Sequence, residues 1–168
     1  NNLYLKNLTK DIKFILISFL ITLSVGILTG MVYVIKTTES KPTGIIEHYN
    51  GQNEFVDEDT SNWDEIPQTK KYLHDMLETT HTHVTSFAII SILIGAIFYF
   101  NSIINNKIKN FLIIEPFIST LITFSSLWIM RYINDSFSYL VMFSAMLLYA
   151  CWMIMIGISL YELLFIKK

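Results

Sequence analysis

Three long stretches of this chain contain no Asp, Glu, Lys or Arg: Phe14 to Ile35, Val84 to Asn106 and Ser136 to Tyr161. Each is longer than the roughly 20 apolar residues that carry an α-helix across a bilayer. Charged residues make up 15% of the 168 positions and hydrophobic ones 52%, with a mean hydropathy of +0.47. Soluble domains carry about a quarter charged residues, so lipid is the main solvent for this chain. A formal net charge of -2 offers no basic surface to nucleic acid. The lone Cys151 excludes an intrachain disulfide, a zinc ribbon and covalently attached c-type haem.

In hydrocarbon every backbone polar group must be satisfied within its own helix or a closed barrel. The expected fold is therefore an all-α membrane protein, a single four-transmembrane-helix up-down bundle. Its spans fall at about 14–35, 84–104, 111–130 and 137–161, and a polar, water-facing loop occupies 36–80. That loop holds ten Asp/Glu against four Lys. Val34-Ile35-Lys36-Thr37 offers no small-residue cleavage site, which makes the first span a retained helix rather than a signal peptide. The third span is interrupted by Glu115-Pro116. Proline in a helix interior deletes a hydrogen bond, whereas at the first helical position it costs nothing. The helix therefore either begins near Asn110 and bends, or begins at Pro116.

Lys6, Lys10 and Lys13 precede the first span, Lys107 and Lys109 separate the second from the third, and Lys167 and Lys168 follow the fourth. The excess of lysine in these connections orients both termini toward the cytoplasm of a bacterial inner membrane, with the 36–80 loop outside. Tyr33, Trp128, Tyr132 and Tyr139 then mark the outer interface, and Tyr99 and Tyr161 the inner one. On the first helix Ser18, Thr22, Gly26 and Gly30 recur every fourth residue, a small-residue stripe that lets a neighbouring backbone come close.

All four histidines, His48, His74, His81 and His83, lie between the first and second spans. A helix starting at Pro67 and running into the second span would put His74, Glu78 and His81 on one face and His83 about 160° away from His81. Imidazole and carboxylate suit zinc, iron or copper, and a neutral imidazole inside an apolar bundle is the usual axial ligand of b-type haem. The expected cofactor is thus b-type haem or a transition metal ion at the bundle mouth, with ligands from His48, His81, His83, His74 and Glu78. Glu78-Thr79-Thr80-His81 has the form of one di-iron Glu-x-x-His element, but such bundles need two copies and two further glutamates inside the core. The alternative is that these histidines are interfacial polar residues bonded to neighbouring threonines.

Arg131, the single arginine, stands at the outer end of the third span. It is suited to pair with Glu78 or Asp135, or to hold a haem propionate. Met31, Met130 and Met142 near the outer ends of spans read as packing, as does Cys151 in mid-span. Glu115 and Glu162 read as interfacial charges within a turn or two of the cytoplasmic face.

Glu47-His48-Tyr49-Asn50-Gly51 together with Leu77-Glu78-Thr79-Thr80-His81-Thr82-His83 resembles an uncharacterised group of small four-span bacterial membrane proteins. These share a His-Tyr-x-Gly element in the first outer loop and a Thr-His-x-His element opening the second span. The likeness continues through Pro116, Trp128 to Tyr132 and Leu160-Tyr161-Glu162. It implies the four-span layout and picks out His48, His81 and His83 without assigning an activity. It also gives Gly51 the task of a tight turn that folds His48 over the bundle mouth.

Two functions follow as expectations. One is a cofactor-binding, electron-transfer subunit of a respiratory assembly, with other membrane subunits or a periplasmic redox protein as partners. The other is a non-catalytic accessory or scaffold subunit; a metal carrier using the acidic loop comes third. No Gly-rich phosphate loop, serine elbow or enclosed carboxylate pair points to soluble-enzyme chemistry. The orientation is checked with a membrane-impermeant maleimide: Ser61→Cys should be labelled from outside intact cells and Lys168→Cys only after permeabilisation.

Overall fold

Lipid tails are as apolar as leucine, so helices in a bilayer gain little by hiding apolar side chains from it and associate through close packing and hydrogen bonds. The computed structural model describes residues 4–51 and 69–166. Within them run α1 (Lys10–Thr38), α2 (Pro42–Asn50), α3 (Leu73–Tyr99), α4 (Asn106–Tyr132) and α5 (Ser138–Phe165), and no strand is present among the described residues. Four helices, all but α2, are long and apolar enough to cross a membrane.

The packing centre is the antiparallel seam of α4 and α5. Its α4 side carries Glu115, Ser119, Thr123 and Ser126, and its α5 side carries Ser144, Cys151 and Ser159, all buried. Small side chains at these positions let the two backbones approach. Ser144 Oγ donates to the Leu140 carbonyl at 2.7 Å, so the 2.7 Å contact between Thr123 Oγ1 and Ser144 Oγ has Thr123 as donor. α3 joins this pair through the Trp152 indole, which donates to Ser91 Oγ at 3.1 Å. Phe87 is the hub of the rings around it, 5.1 Å from Trp152, 6.4 Å from Tyr149 and 6.0 Å from Phe124. α1 leans on α5 through buried Leu20 and Ile27.

α4 is continuous from Asn106 through Pro116, with the Asn105 side chain accepting from Ile108 N–H at its start. Of the two readings of the third span, the helix that begins before the proline and runs through it is the one observed. Glu115 therefore lies about two and a half turns, or roughly 14 Å, inside α4. It is 6% exposed, and that corrects its expected place near the surface.

The second span is shorter than its hydropathy indicated. α3 stops at Tyr99, and residues 100–105 form a turn organised by Asn101, whose Oδ1 accepts from Ile103 and Ile104 N–H at 2.9 and 3.0 Å. Lys109 Nζ closes the same turn by donating to the carbonyls of Asn101 at 2.6 Å and Tyr99 at 3.2 Å. Glu162 is the keystone here and is completely buried, against the expectation of an interfacial charge. Its carboxylate accepts from Ser102 N–H at 2.8 Å, Ser102 Oγ at 2.8 Å and Lys6 N–H at 3.2 Å. It ties the α3–α4 turn to the segment before α1, where Leu5 is also buried and donates its N–H to Phe100 O at 3.0 Å.

Removing a buried acceptor strands its donors at about 1–3 kcal/mol each. Glu162→Ala should therefore lower the unfolding free energy in micelles by about 3 kcal/mol, and Glu162→Gln by distinctly less. Denaturant titration followed by circular dichroism reads both.

Candidate functional site

The polar chemistry gathers at the opposite end of the bundle, under a lid formed by α2. The 36–80 region was expected to be loop, yet Pro42 starts a helix there, at a position where its missing N–H costs nothing. The chain reaches it through Glu39 and Ser40, both left-handed at φ 51° and 54°. Gly44 packs so tightly on the end of α1 that a Cβ would collide with the Thr38 carbonyl. Ile45 drives the lid into a second apolar core with Met76, Phe124, Leu127, Met130 and Val141. Gly51 ends the helix at φ 84°, ψ 158°, a conformation that only glycine adopts without strain. The positive φ at Gly51 needs the freedom expected of a glycine there, but His48 and Tyr49 ride on the last turn of a helix rather than on a loop.

Arg131 holds the lid down. Its Nε and Nη2 donate to the Lys71 carbonyl at 3.3 and 2.9 Å, and Lys71 N–H donates to Tyr49 O at 3.1 Å. The guanidinium also stands 5.2 Å from the Tyr132 ring centre. The expected pairing of Arg131 with Glu78 or Asp135 is thus replaced by a carbonyl contact, while Asp135 accepts instead from Asn50 Nδ2 at 3.0 Å. Because Lys71 gives its backbone groups to α2 and α4, residues 69–72 stay out of the helix. α3 starts at Leu73, with Asp75 accepting from Tyr72 N–H at 3.0 Å; this corrects the helical path expected through Lys70 to Tyr72, while from Leu73 the helix runs unbroken into the second span as expected. Pro67 itself lies outside the described residues. A further clamp runs from Trp128 Nε1 to Thr80 Oγ1 at 2.9 Å.

The expected ligands share this end of the molecule without converging. His74, Glu78, His81 and His83 are exposed on α3, and His48 is half-buried on α2, 4.8 Å edge-on from the Tyr49 ring. His74 lies 3.9 Å from Asp75. His83 faces the aromatic hub, 5.5 Å from Phe87 and 5.9 Å from Phe124, and its Nδ1 is 2.9 Å from the Thr79 carbonyl. Among the described residues no three His, Cys, Asp or Glu side chains are close enough to hold one metal ion. Met130 and Met142 belong to the second core, as expected of packing methionines. The residues missed from sequence are Lys71 and Asn50. Their roles run through backbone carbonyls and a distant aspartate, for which sequence gives no signal, whereas Lys41-Pro42 was a readable start for α2.

These features define a multi-pass helical membrane protein with a lidded end and no described enzymatic constellation. Residues 39–168 match the model of the Aq_1264_TM family, a transmembrane helical domain, and the chain belongs to that family. No curated protein and no solved structure matches the chain. The match begins at Glu39, immediately after α1 ends at Thr38, so the family domain is the lid with α3, α4 and α5.

Two predictions concern the lid. Arg131→Ala should speed amide exchange across 42–50 and 69–72 by about tenfold, the equivalent of one charge-assisted bond, and leave α4 and α5 protected. Burial pushes the Tyr49 hydroxyl up to about 12, with Tyr33 adding a smaller electrostatic contribution. A phenol that holds its proton more tightly when folded loses its stabilising contribution as pH rises from about 10 through 12. The protection factors of α2, taken relative to the intrinsic exchange rates, should fall across that window, and Tyr49→Phe should remove that fall.

Proposed function

We propose that this protein is a non-catalytic accessory subunit of a larger membrane complex and that α1 is the helix by which it docks. The observation that carries the reading is the direction of the small-residue stripe. Leu20 and Ile27 turn α1 toward the bundle, whereas Ser18, Thr22 and Gly26 are exposed on the other side. Thr22 Oγ1 is satisfied within the helix by the Ser18 carbonyl at 2.9 Å, and a Cβ on Gly26 would meet nothing within 4 Å. Gly30, the fourth member of the stripe, is half-buried near the Tyr149 hydroxyl of α5, but the part from Ser18 to Gly26 offers a close backbone approach that no described residue of the chain uses. The family domain also begins only after α1, which supports reading this helix as an attachment to a common core. The lid end faces the extracytoplasmic side in this reading, in keeping with the lysine distribution.

A second reading, b-type haem or a metal ion at the lid end, is favoured by His83. The contact between its Nδ1 and the Thr79 carbonyl makes Nδ1 the donor in a neutral ring and leaves Nε2 as a lone-pair ligand, the arrangement that orients metal-binding histidines. Electron exchange with a quinol or a periplasmic redox protein belongs to this reading.

Gly26→Leu should shift the protein on native electrophoresis of gently solubilised membranes from a large species to the free chain. Gly157→Leu, at another exposed helical glycine with open space around it, should leave the large species intact. A wild-type chain that already migrates alone would sink the accessory reading. For the cofactor reading, a reduced-minus-oxidised spectrum without a Soret difference, together with no stoichiometric metal by elemental analysis, is the negative outcome.

A further inference from the structure

The two faces of α3 divide its polar residues between the bundle and the outside. Met76, Thr80, His83 and Phe87 form the inner face: Met76 is buried, Thr80 Oγ1 accepts from Trp128, and the rings of His83 and Phe87 meet that of Phe124. Half a helical turn away, His74, Glu78, His81 and Thr85 are all exposed. The same stripe continues down the span as Ile89, Ile92 and Ala96, which are exposed as well. Glu78 and His81 are three residues apart, so their side chains are neighbours on this outer face. Neither has a hydrogen-bond or ion-pair partner among the described residues.

Depth and ligand number specify what would complete this face. Tryptophan favours the membrane interface, and the bond from Trp128 to Thr80 puts that turn of α3 at the same level. Glu78 and His81 therefore stand at the rim, reachable by a solute ion, while Ile89, Ile92 and Ala96 lie in hydrocarbon. Zinc takes four ligands in a tetrahedron and accepts both imidazole nitrogen and carboxylate oxygen. One chain supplies two of the four, and no third His, Cys, Asp or Glu joins them among the described residues. All copies cross the membrane in the same sense, so two of them can pair along α3 only in parallel, about a two-fold axis normal to the bilayer. That symmetry brings a second Glu78 and a second His81 to the first pair, within one turn of the axis. Paired without a cation, each Glu78 would face its own symmetry mate; with one, two carboxylates and two imidazoles make a full set.

We propose that two copies of this chain pair along the outer face of α3 and share one zinc ion, held by Glu78 and His81 of each copy. The exposed Thr85, Ile89, Ile92 and Ala96 form the seam below the ion. The site is incomplete in a single chain, and each copy contributes half of it. This inference rests on the second reading above only in placing a metal at this end of the molecule; its ligands differ, and His83 keeps its place against Phe87 and Phe124. The exposed face of α1 takes no part in the pairing.

The test uses the full chain in dodecylmaltoside micelles, with sedimentation equilibrium to read its mass and elemental analysis to count metal. Zinc chloride should convert monomer to dimer with one zinc per two chains, and chelation should reverse it. Magnesium, which prefers oxygen ligands, should not substitute. Glu78→Gln and His81→Ala each remove two of the four ligands. Each should raise the zinc concentration for half-dimerisation by more than about a hundredfold, the upper end of what losing a mere hydrogen-bond partner of a ligand costs. Thr85→Cys, one turn deeper on the same face, should cross-link two copies under mild oxidation in zinc, whereas Leu121→Cys on the exposed side of α4 should not. The proposal is overturned by zinc bound at one per chain, by a monomer in saturating zinc, or by wild-type zinc dependence in either ligand variant. Zinc that is lost in His83→Ala but kept in His81→Ala would return the metal to the second reading and sink this one alone.

Discussion

The bundle depends on how closely α4 and α5 can approach. In lipid the apolar surfaces of helices are already solvated, so the decisive terms are van der Waals contact and the few hydrogen bonds that cross between backbones. Glu115, Ser119, Thr123 and Ser126 on one helix face Ser144, Cys151 and Ser159 on the other, and the Thr123–Ser144 hydrogen bond fixes their register. α3 docks on that pair through Trp152 and Ser91, and α1 lies at the margin, against α5. That marginal position leaves α1 a face that no described residue covers.

Each end of the bundle is closed by one buried or half-buried charge that works through backbone groups. Glu162 gathers the N–H groups of Lys6 and Ser102, and Arg131 grips the carbonyl of Lys71. In both places a charged group satisfies peptide dipoles that no helix could satisfy, because the chain is turning there. An acid at one end and a base at the other thus do the same structural work.

Charge-free runs made the membrane class and three of the four spans legible directly, because crossing hydrocarbon imposes a length and a composition on a helix. Helix ends were harder to read. Ile103 and Ile104 are as apolar as the span before them, yet Asn101 turns the chain there by accepting their N–H groups. Residues 42–50 look polar enough for a loop, but Ile45 finds an apolar socket made of residues more than 25 positions away. The histidines were visible as a cluster in sequence. Within α3 their faces follow from the helical period, whereas the placing of His48 on a separate helix over the bundle follows from the burial of Ile45.

By itself, then, the sequence determined the solvent, the helices and the end of the molecule where polar residues collect, since these follow from local composition and helical period. Only the tertiary structure decided which polar residues are spent on holding the fold and which are left over. Glu162 and Arg131 proved to be fasteners, and Glu115 a buried carboxyl held by the Ser119 hydroxyl within the α4–α5 seam. The physical reason is that partners for a buried polar atom come from chain segments far apart in sequence, and proximity in space is not written into composition or spacing.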